Sequence, residues 1–322
     1  MRRPLNVLRG AALALLLFAA SPATAQQAHR IYRIGVLNEA WAANHPAVEG
    51  LKEGLRELGF AEGRDITYEI RFTRGEPGAT TAAADELVKA GVDLIFTCNE
   101  AATLAAKKAT QKIPVVFALV GDPVLTGMVA GLALPGGNLT GISSRSTELA
   151  PKRLEMLTKM AAGLKRVWFI HHKDDVTDTA ALGSLLDAAL KLKVGLMIRA
   201  VSDADGLAQV LKEIKPGDAL LAPAVDTLDI PASILEAARV PSIFPAAIWV
   251  ENGALISYGP DFRAQGVQSA RLIAKILRGA RPQDLPVEGA DRIDLAVNLN
   301  TARQLGLAVS QKMLFRANLV QR

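Results

Sequence analysis

The chain has 322 residues, 50% hydrophobic and 21% charged, a composition that excludes wholesale disorder and leaves room for two domains of ordinary size. The formal net charge is +5, of which Arg2, Arg3 and Arg9 supply three; so small a remaining surplus, with no Lys/Arg-rich tract, argues against nucleic acid as a partner. The single cysteine, Cys98, excludes an internal disulfide and a cysteine metal cluster.

Taken in order, the chain opens on a secretory signal. Arg2, Arg3 and Arg9 precede an apolar core, Ala11 to Ala20 (AALALLLFAA), that is too short to span a bilayer. Ser21-Pro22 breaks this core, and Ala23-Thr24-Ala25 is an A-x-A cleavage site. Residues 1–25 are therefore expected to be removed, with the mature chain starting near Gln26. No cysteine follows the core to anchor a lipid, and no later run has the roughly eighteen apolar residues of a spanning helix, so no membrane-embedded segment is expected after cleavage.

Ile31 to Leu37 reads as a first strand, followed by a loop, Asn38 to Asn44. His45 or Pro46 opens a helix to Leu58, with Val48, Leu51, Leu55 and Leu58 at helical spacing, Pro46 in the first turn and Gly59 as the stop. Asp65 to Phe72 alternates as a strand. Ala79 to Ala90 is a helix, Val92 to Phe96 a strand with the exit loop Thr97–Glu100, and Ala101 to Thr110 a helix. Val115 to Val120 is an apolar run that reads as a strand buried on both faces, ending in the turn Gly121-Asp122-Pro123. A second sharp turn, Leu134 to Asn138, precedes an extended segment, Leu139 to Ser143.

A second β–α series follows. Helices are expected over Glu148–Met160, Ala180–Lys191, Asp203–Ile214, Ile230–Arg239 and Phe262–Leu277. Strands are expected over Arg166–Ile170, Val194–Val201, Ala219–Ala222, Pro241–Phe244 and Ala254–Ser257, with one more strand and a short helix within Asp291–Leu305. Repeated β–α units predict an α/β fold of two doubly wound parallel-sheet lobes with a ligand cleft between them.

The motifs for nucleotide chemistry are missing. No Gly-x-Gly-x-x-Gly follows the first strand, and no Gly-x-x-x-x-Gly-Lys-Ser/Thr occurs. His171-His172 with Asp174-Asp175 is the His-rich cluster, but adjacent residues leaving a strand point apart, so a solvated loop outweighs a metal or hydrolase site. Ser143, Ser144 and Ser146 lack the Gly-x-Ser-x-Gly elbow of a nucleophile. No catalytic residue, metal or cofactor is therefore expected. A cleft instead needs an aromatic wall and a few fixed polar groups. Trp41 and Tyr258 are the candidate walls, with packing on its own lobe the alternative for Trp41 and a hinge role the alternative for Tyr258. Asn99, Asp122, Ser143, Asp226 and Thr227 are the candidate polar groups, and a plain turn or cap is the alternative for Asp122. An ammonium would seek a carboxylate such as Asp122 or Asp226, and a carboxylate would seek the amides at Asn99-Glu100 where a helix begins.

The segment Gly121-Asp122-Pro123 through Leu134-Pro135-Gly136-Gly137-Asn138 to Thr140-Gly141 resembles that of a family of ABC transporter substrate-binding proteins with tryptophan- and phenylalanine-binding members. Arg33–Leu37, Gly54–Phe60 with Glu62-Gly63, Lys152–Glu155 and Gly253–Asp261 extend the resemblance over nearly all of the mature chain. The resemblance implies a type I periplasmic-binding fold, with crossings near 142–146, 258–261 and 290–297 and a hinge between lobes. The lobes would be residues 26–143 plus 259–290, and 144–258 plus 291–322. It further implies a periplasmic protein, not an enzyme, that captures a small polar ligand, an amino acid foremost, and delivers it to an ABC permease and its ATPase. It favours Asp122 and Tyr258 as ligand contacts. The alternatives are an exported α/β hydrolase and a ligand-sensing partner of a membrane receptor.

Overall fold

The computed structural model describes residues 30–39, 45–76, 78–222 and 240–322. Strands β1 (Tyr32–Asn38), β2 (Ile66–Phe72), β3 (Leu94–Cys98), β4 (Val115–Val120), β5 (Leu139–Ser143) and β11 (Glu288–Gly289) form a six-stranded, wholly parallel sheet in the order β11-β5-β4-β3-β1-β2. Strands β6 (Arg166–His172), β7 (Gly195–Val201), β8 (Asp218–Leu221), β9 (Ser242–Phe244), β10 (Ile256–Pro260), β12 (Ile293–Asn298) and β13 (Leu319–Gln321) form a seven-stranded sheet in the order β13-β12-β10-β9-β8-β6-β7. In it only β10 and β12 run antiparallel. The protein is thus two parallel-sheet α/β lobes.

The helices are α1 (Pro46–Glu57), α2 (Ala79–Lys89), α3 (Glu100–Ala109), α4 (Ser146–Met160), α5 (Val176–Leu192), α6 (Ala204–Glu213), α7 (Ile248–Glu251), α8 (Phe262–Leu277), α9 (Leu299–Gln304) and α10 (Gln311–Arg316). They cover both faces of the sheets, which is why the central strands are apolar without a polar face. Along β3, Leu94 and Phe96 enter the core under α1 and α8, whereas Ile95 enters the core under α2 and α3. β4 divides likewise, Val116 and Ala118 on one side and Val115 and Phe117 on the other.

The chain passes between the sheets three times: from β5 into α4, from β10 into α8, and from β11 to β12. Helix α8 therefore leaves the seven-stranded sheet and returns to pack along α1. The two helices meet through glycine. A Cβ on Gly50 would lie 2.0 Å from the Arg263 carbonyl oxygen, and one on Gly266 2.0 Å from that of Ala47. On Gly54 it would lie 2.7 Å from the Ala270 Cβ.

Several element ends differ from the sequence expectation. β3 extends to Cys98 because Thr97 and Cys98 pair with Phe117 and Ala118, and β6 extends to His172 because His171 and His172 pair with Ala200 and Val201. Helix α5 begins four residues earlier than its apolar spacing suggests, since the Asp175 carboxylate accepts the Asp178 amide at 2.9 Å and caps it there. Two-residue β11 carries too little periodicity to be read, and β13 is recruited by the free side of β12. The expected Ile230–Arg239 helix lies outside the described residues.

The glycine seam makes a direct prediction. Gly50→Ala forces two backbones apart and should destabilise the protein by at least about 1–3 kcal/mol. Gly183→Ala, inside α5 with nothing within 4 Å of the added carbon, should stabilise it by about 1 kcal/mol. Urea unfolding of the two variants checks both signs.

Candidate ligand cleft

In both sheets the strand order reverses at the first strand of the unit. The chain goes from β1 outward to β2 and returns past β1 to β3; it goes from β6 to β7 and returns to β8. Beyond the carboxyl ends of such strand pairs lies the crevice where open α/β sheets hold ligands. Its described residues in the first lobe are Asn38 and Glu39 after β1, Asn99 and Glu100 after β3, and Gly121 and Asp122 after β4. The second lobe contributes the β6 end and the start of α5.

Asn99 organises the first-lobe side. Its Oδ1 accepts the Ala102 amide at 2.9 Å and caps α3, and its Nδ2 donates to Glu39 Oε2 at 2.9 Å. Glu39 Oε1 accepts the Thr80 hydroxyl at 2.7 Å, and Thr80 meets Thr73 at 3.0 Å. The Asn99 backbone sits at φ 89°, ψ 174°, a region that ordinarily only glycine enters. Leu119 (φ 60°) and Arg145 (φ 54°) are also left-handed, at the end of β4 and at the first crossing. At Leu119 the β4–β5 register shifts, and its amide is taken by Gln265 Oε1 at 3.2 Å. Strain of this kind is on the order of 1–3 kcal/mol per residue and is held here by hydrogen bonds.

The lobes touch at Glu100. Its Oε1 accepts the Gly121 amide at 3.1 Å from its own lobe and the Thr177 hydroxyl at 3.3 Å from the other. The fit is close: a Cβ on Gly121 would be 2.8 Å from Thr177 Cγ2 and 3.3 Å from Ser146 Oγ. Burial, followed by the negative charge of Asp175, pushes the Glu100 carboxyl up to about 7; Asp122 adds to the push, and the bonds from Gly121 and Thr177 oppose it. Beyond it, Arg153 is fully buried in α4 and donates to the Ser146 carbonyl at 3.2 Å. Burial brings Arg153 down to about 10 against the pull of Asp178.

The residues singled out from sequence divide as follows. Asn99 lies at the β1/β3 crevice. Asp122 caps its own turn, its Oδ1 accepting the Val124 and Leu125 amides, each at 3.1 Å. Ser143 is buried; its hydroxyl donates to the Gly121 carbonyl at 3.2 Å and accepts the Arg145 amide at 3.2 Å, tying the first crossing. Asp122 and Ser143 come together in a cavity of ≈ 460 Å³ that Arg145, Glu148 and Glu288 also line. That cavity lies beside β4, β5 and β11, next to the first crossing. Tyr258 sits within β10, partly buried against the second-lobe core. Trp41, Asp226 and Thr227 lie outside the described residues.

The His-rich cluster is committed to the fold. His171 is buried and stacks on Phe169 at 5.5 Å, and His172 Nε2 meets the Ser202 carbonyl at 3.1 Å. Among the described residues no three His, Cys, Asp or Glu side chains gather as metal ligands, and no helix is long and apolar enough to cross a membrane. Sequence reading gives the side chains of Glu39, Glu100 and His45 no role at the site. Glu39 and Glu100 each stand one or two residues past a strand end, a signal that position alone offers. His45 is different. Its Nδ1 accepts the Ala47 amide at 3.2 Å and its ring stacks on Phe262 at 5.7 Å, a contact across the α1–α8 seam that no local pattern announces. Burial brings His45 down to about 4, so the ring is neutral at pH 7.

Similar proteins share this architecture. The chain is 26% identical over 275 residues to the tyrosine-binding protein of Clostridioides difficile, covering 82% of this chain and 78% of that one. A conserved domain protein from Vibrio cholerae superposes with a TM-score of 0.82 at 26% identity, covering 90% of this chain and 99% of that one. A Streptococcus pneumonia ABC domain in complex with L-Trp has the same fold, with a TM-score of 0.82 at 24% identity, covering 90% of this chain and 100% of that one. Residues 41–321 match the family model described as ABC transporter substrate binding protein, and the chain belongs to that family.

Proposed function

We propose that this protein is the periplasmic ligand-capturing component of an ABC importer, and that its ligand is an amino acid or a closely related small zwitterion. The observation that carries the reading is the pairing of charges at the crevice. Glu39, Asp122 and Asp175 bring carboxylates to it, while α3, α4 and α5 direct their N-terminal ends toward the same edge. Carboxylates suit an ammonium, and helix N-termini suit a carboxylate. The relatives named for tyrosine binding and for the L-Trp complex support the same class.

In this reading residues 1–25 are removed on export. The lobes are residues 26–143 plus 259–290 and 144–258 plus 291–322, hinged at the three crossings. Trp41, Asn99, Asp122, Ser143, Asp226, Thr227 and Tyr258 contribute to the ligand contacts or to the hinge that positions them. The ligand bridges the lobes and favours the closed form through contacts that only that form makes. The closed protein then docks on a membrane permease driven by an ATPase. No bond of the ligand is made or broken.

A thermal-shift screen of the chain from Gln26 against amino acids, nucleosides, sugars and small carboxylates tests this. An aromatic amino acid at a hundredfold excess over its dissociation constant should add about 2.7 kcal/mol of stability and be recovered unchanged. A consumed hit, or shifts confined to another class, contradicts the reading. Variants of Asn99 locate the site. Asn99→Gly suits the observed φ and should keep the fold, whereas Asn99→Ala should be less stable than Asn99→Gly by roughly 1–3 kcal/mol. Both remove the link to Glu39 and should weaken amino-acid binding about tenfold or more by calorimetry.

A further inference from the structure

Glu100 is placed for more than local bonding. Its carboxyl is the first residue of α3 in one lobe, yet it accepts hydrogen bonds from the Gly121 amide and, across the lobe boundary, from the Thr177 hydroxyl at the start of α5. The missing side chain of Gly121 is what lets Thr177 approach. The charged groups that bear on Glu100 are both acidic: Asp175, which caps α5, and Asp122, which ends the β4 turn. Asp175 is buried, with one oxygen capping α5 and the other, Oδ2, lacking a hydrogen-bond partner among the described residues. The buried cation nearby, Arg153, acts on Asp178 and donates to the Ser146 carbonyl. Two lobes therefore meet around three carboxyl groups.

We propose that Glu100 is a positioning residue for ligand capture: its carboxyl carries a proton while it bridges the lobes, so bringing the lobes together takes up a proton and binding strengthens as the medium acidifies. With the lobes apart, water reaches the carboxyl and Asp175 moves away, so the proton leaves. The ligand part of this inference rests on the amino-acid reading above; the proton on Glu100 does not.

The carboxyl's ordinary value is 4.5, and burial beside Asp175 carries it to about 7. Between these values the folded, lobes-together form holds a proton that the unfolded chain lacks. Its stability therefore falls as pH rises through that window, and the loss is complete above it. The same difference makes lobe closure up to roughly thirtyfold more favourable at about pH 5.5 than at about pH 8.5.

The first measurement uses the ligand-free chain. Melting temperatures of the wild type, Glu100→Gln and Asp175→Asn are followed from about pH 5 to about pH 8.5. Glu100→Gln keeps an acceptor for Gly121 and Thr177 without a charge, so the wild type should lose stability relative to it as pH rises. Asp175→Asn retains the cap oxygen and removes a neighbouring charge, so it should move the wild-type profile to lower pH. This second shift decides the matter should Glu100→Gln not fold. The second measurement titrates L-tyrosine calorimetrically in two buffers of different ionisation enthalpy at about pH 6. Because the ligand-free chain samples both lobe arrangements, the wild type should take up a fraction of a proton on binding, and Glu100→Gln none. A wild-type-to-variant difference that is constant with pH, or tyrosine binding without proton uptake, overturns the proposal. If neither L-tyrosine nor L-tryptophan binds, the amino-acid reading fails, and the ligand-free profiles still decide the protonation of Glu100.

Discussion

The α1–α8 seam is the contact on which the two-lobed arrangement depends. Glu53 of α1 and Arg263 of α8 pair across it although they are 210 residues apart in the chain. Gly50, Gly54 and Gly266 let the helix backbones approach so closely that no side chain fits between them. Because α8 is anchored there, the chain that has built most of the second lobe is brought back to the first, and the crossings become three parallel tethers rather than one. The seam also reaches the site. Gln265, buried on α8, accepts the Leu119 amide where β4 leaves the sheet in a left-handed turn, and its Oε1 also receives the Ser144 hydroxyl of the first crossing at 3.4 Å. One side chain thus holds both the strained end of β4 and the start of the first crossing.

A second constraint acts at the strand ends. Parallel strands with covering helices put helix N-termini and strand carboxyl ends on one edge of each sheet, and the two lobes present those edges to each other around Glu100. The fold therefore collects positive helix ends and acidic side chains in one place before any ligand is considered. Asn99 and Glu39 satisfy one another there, while Glu100 is left half-buried among like charges. Its surroundings draw on groups from both lobes.

Much of this was legible in the sequence because it is periodic. The run Val115–Val120, with no polar face, could only be a strand covered on both sides, and Pro46 and Gly59 bracket α1 by their backbone preferences alone. What escaped was long-range or too short to be periodic. Strand β11 has two residues, β13 exists because β12 offers a free side, and the His45–Phe262 stack joins positions on different helices. Asp122 was conspicuous because it follows a strand, yet its visible bonds are those of a turn. Glu100 reads from sequence only as the end of the Thr97–Glu100 exit loop, valued for its amide, since its side-chain partner Thr177 stands 77 positions later and nothing local records that meeting.

Small-angle scattering of the mature chain with and without its amino-acid ligand tests the central claim most directly, that a small zwitterion is held between two hinged lobes. The account predicts that saturation with L-tyrosine or L-tryptophan, whichever binds, lowers the radius of gyration and narrows the distance distribution. Binding that leaves the scattering curve unchanged contradicts it, since the ligand would then sit on one lobe and bridge nothing.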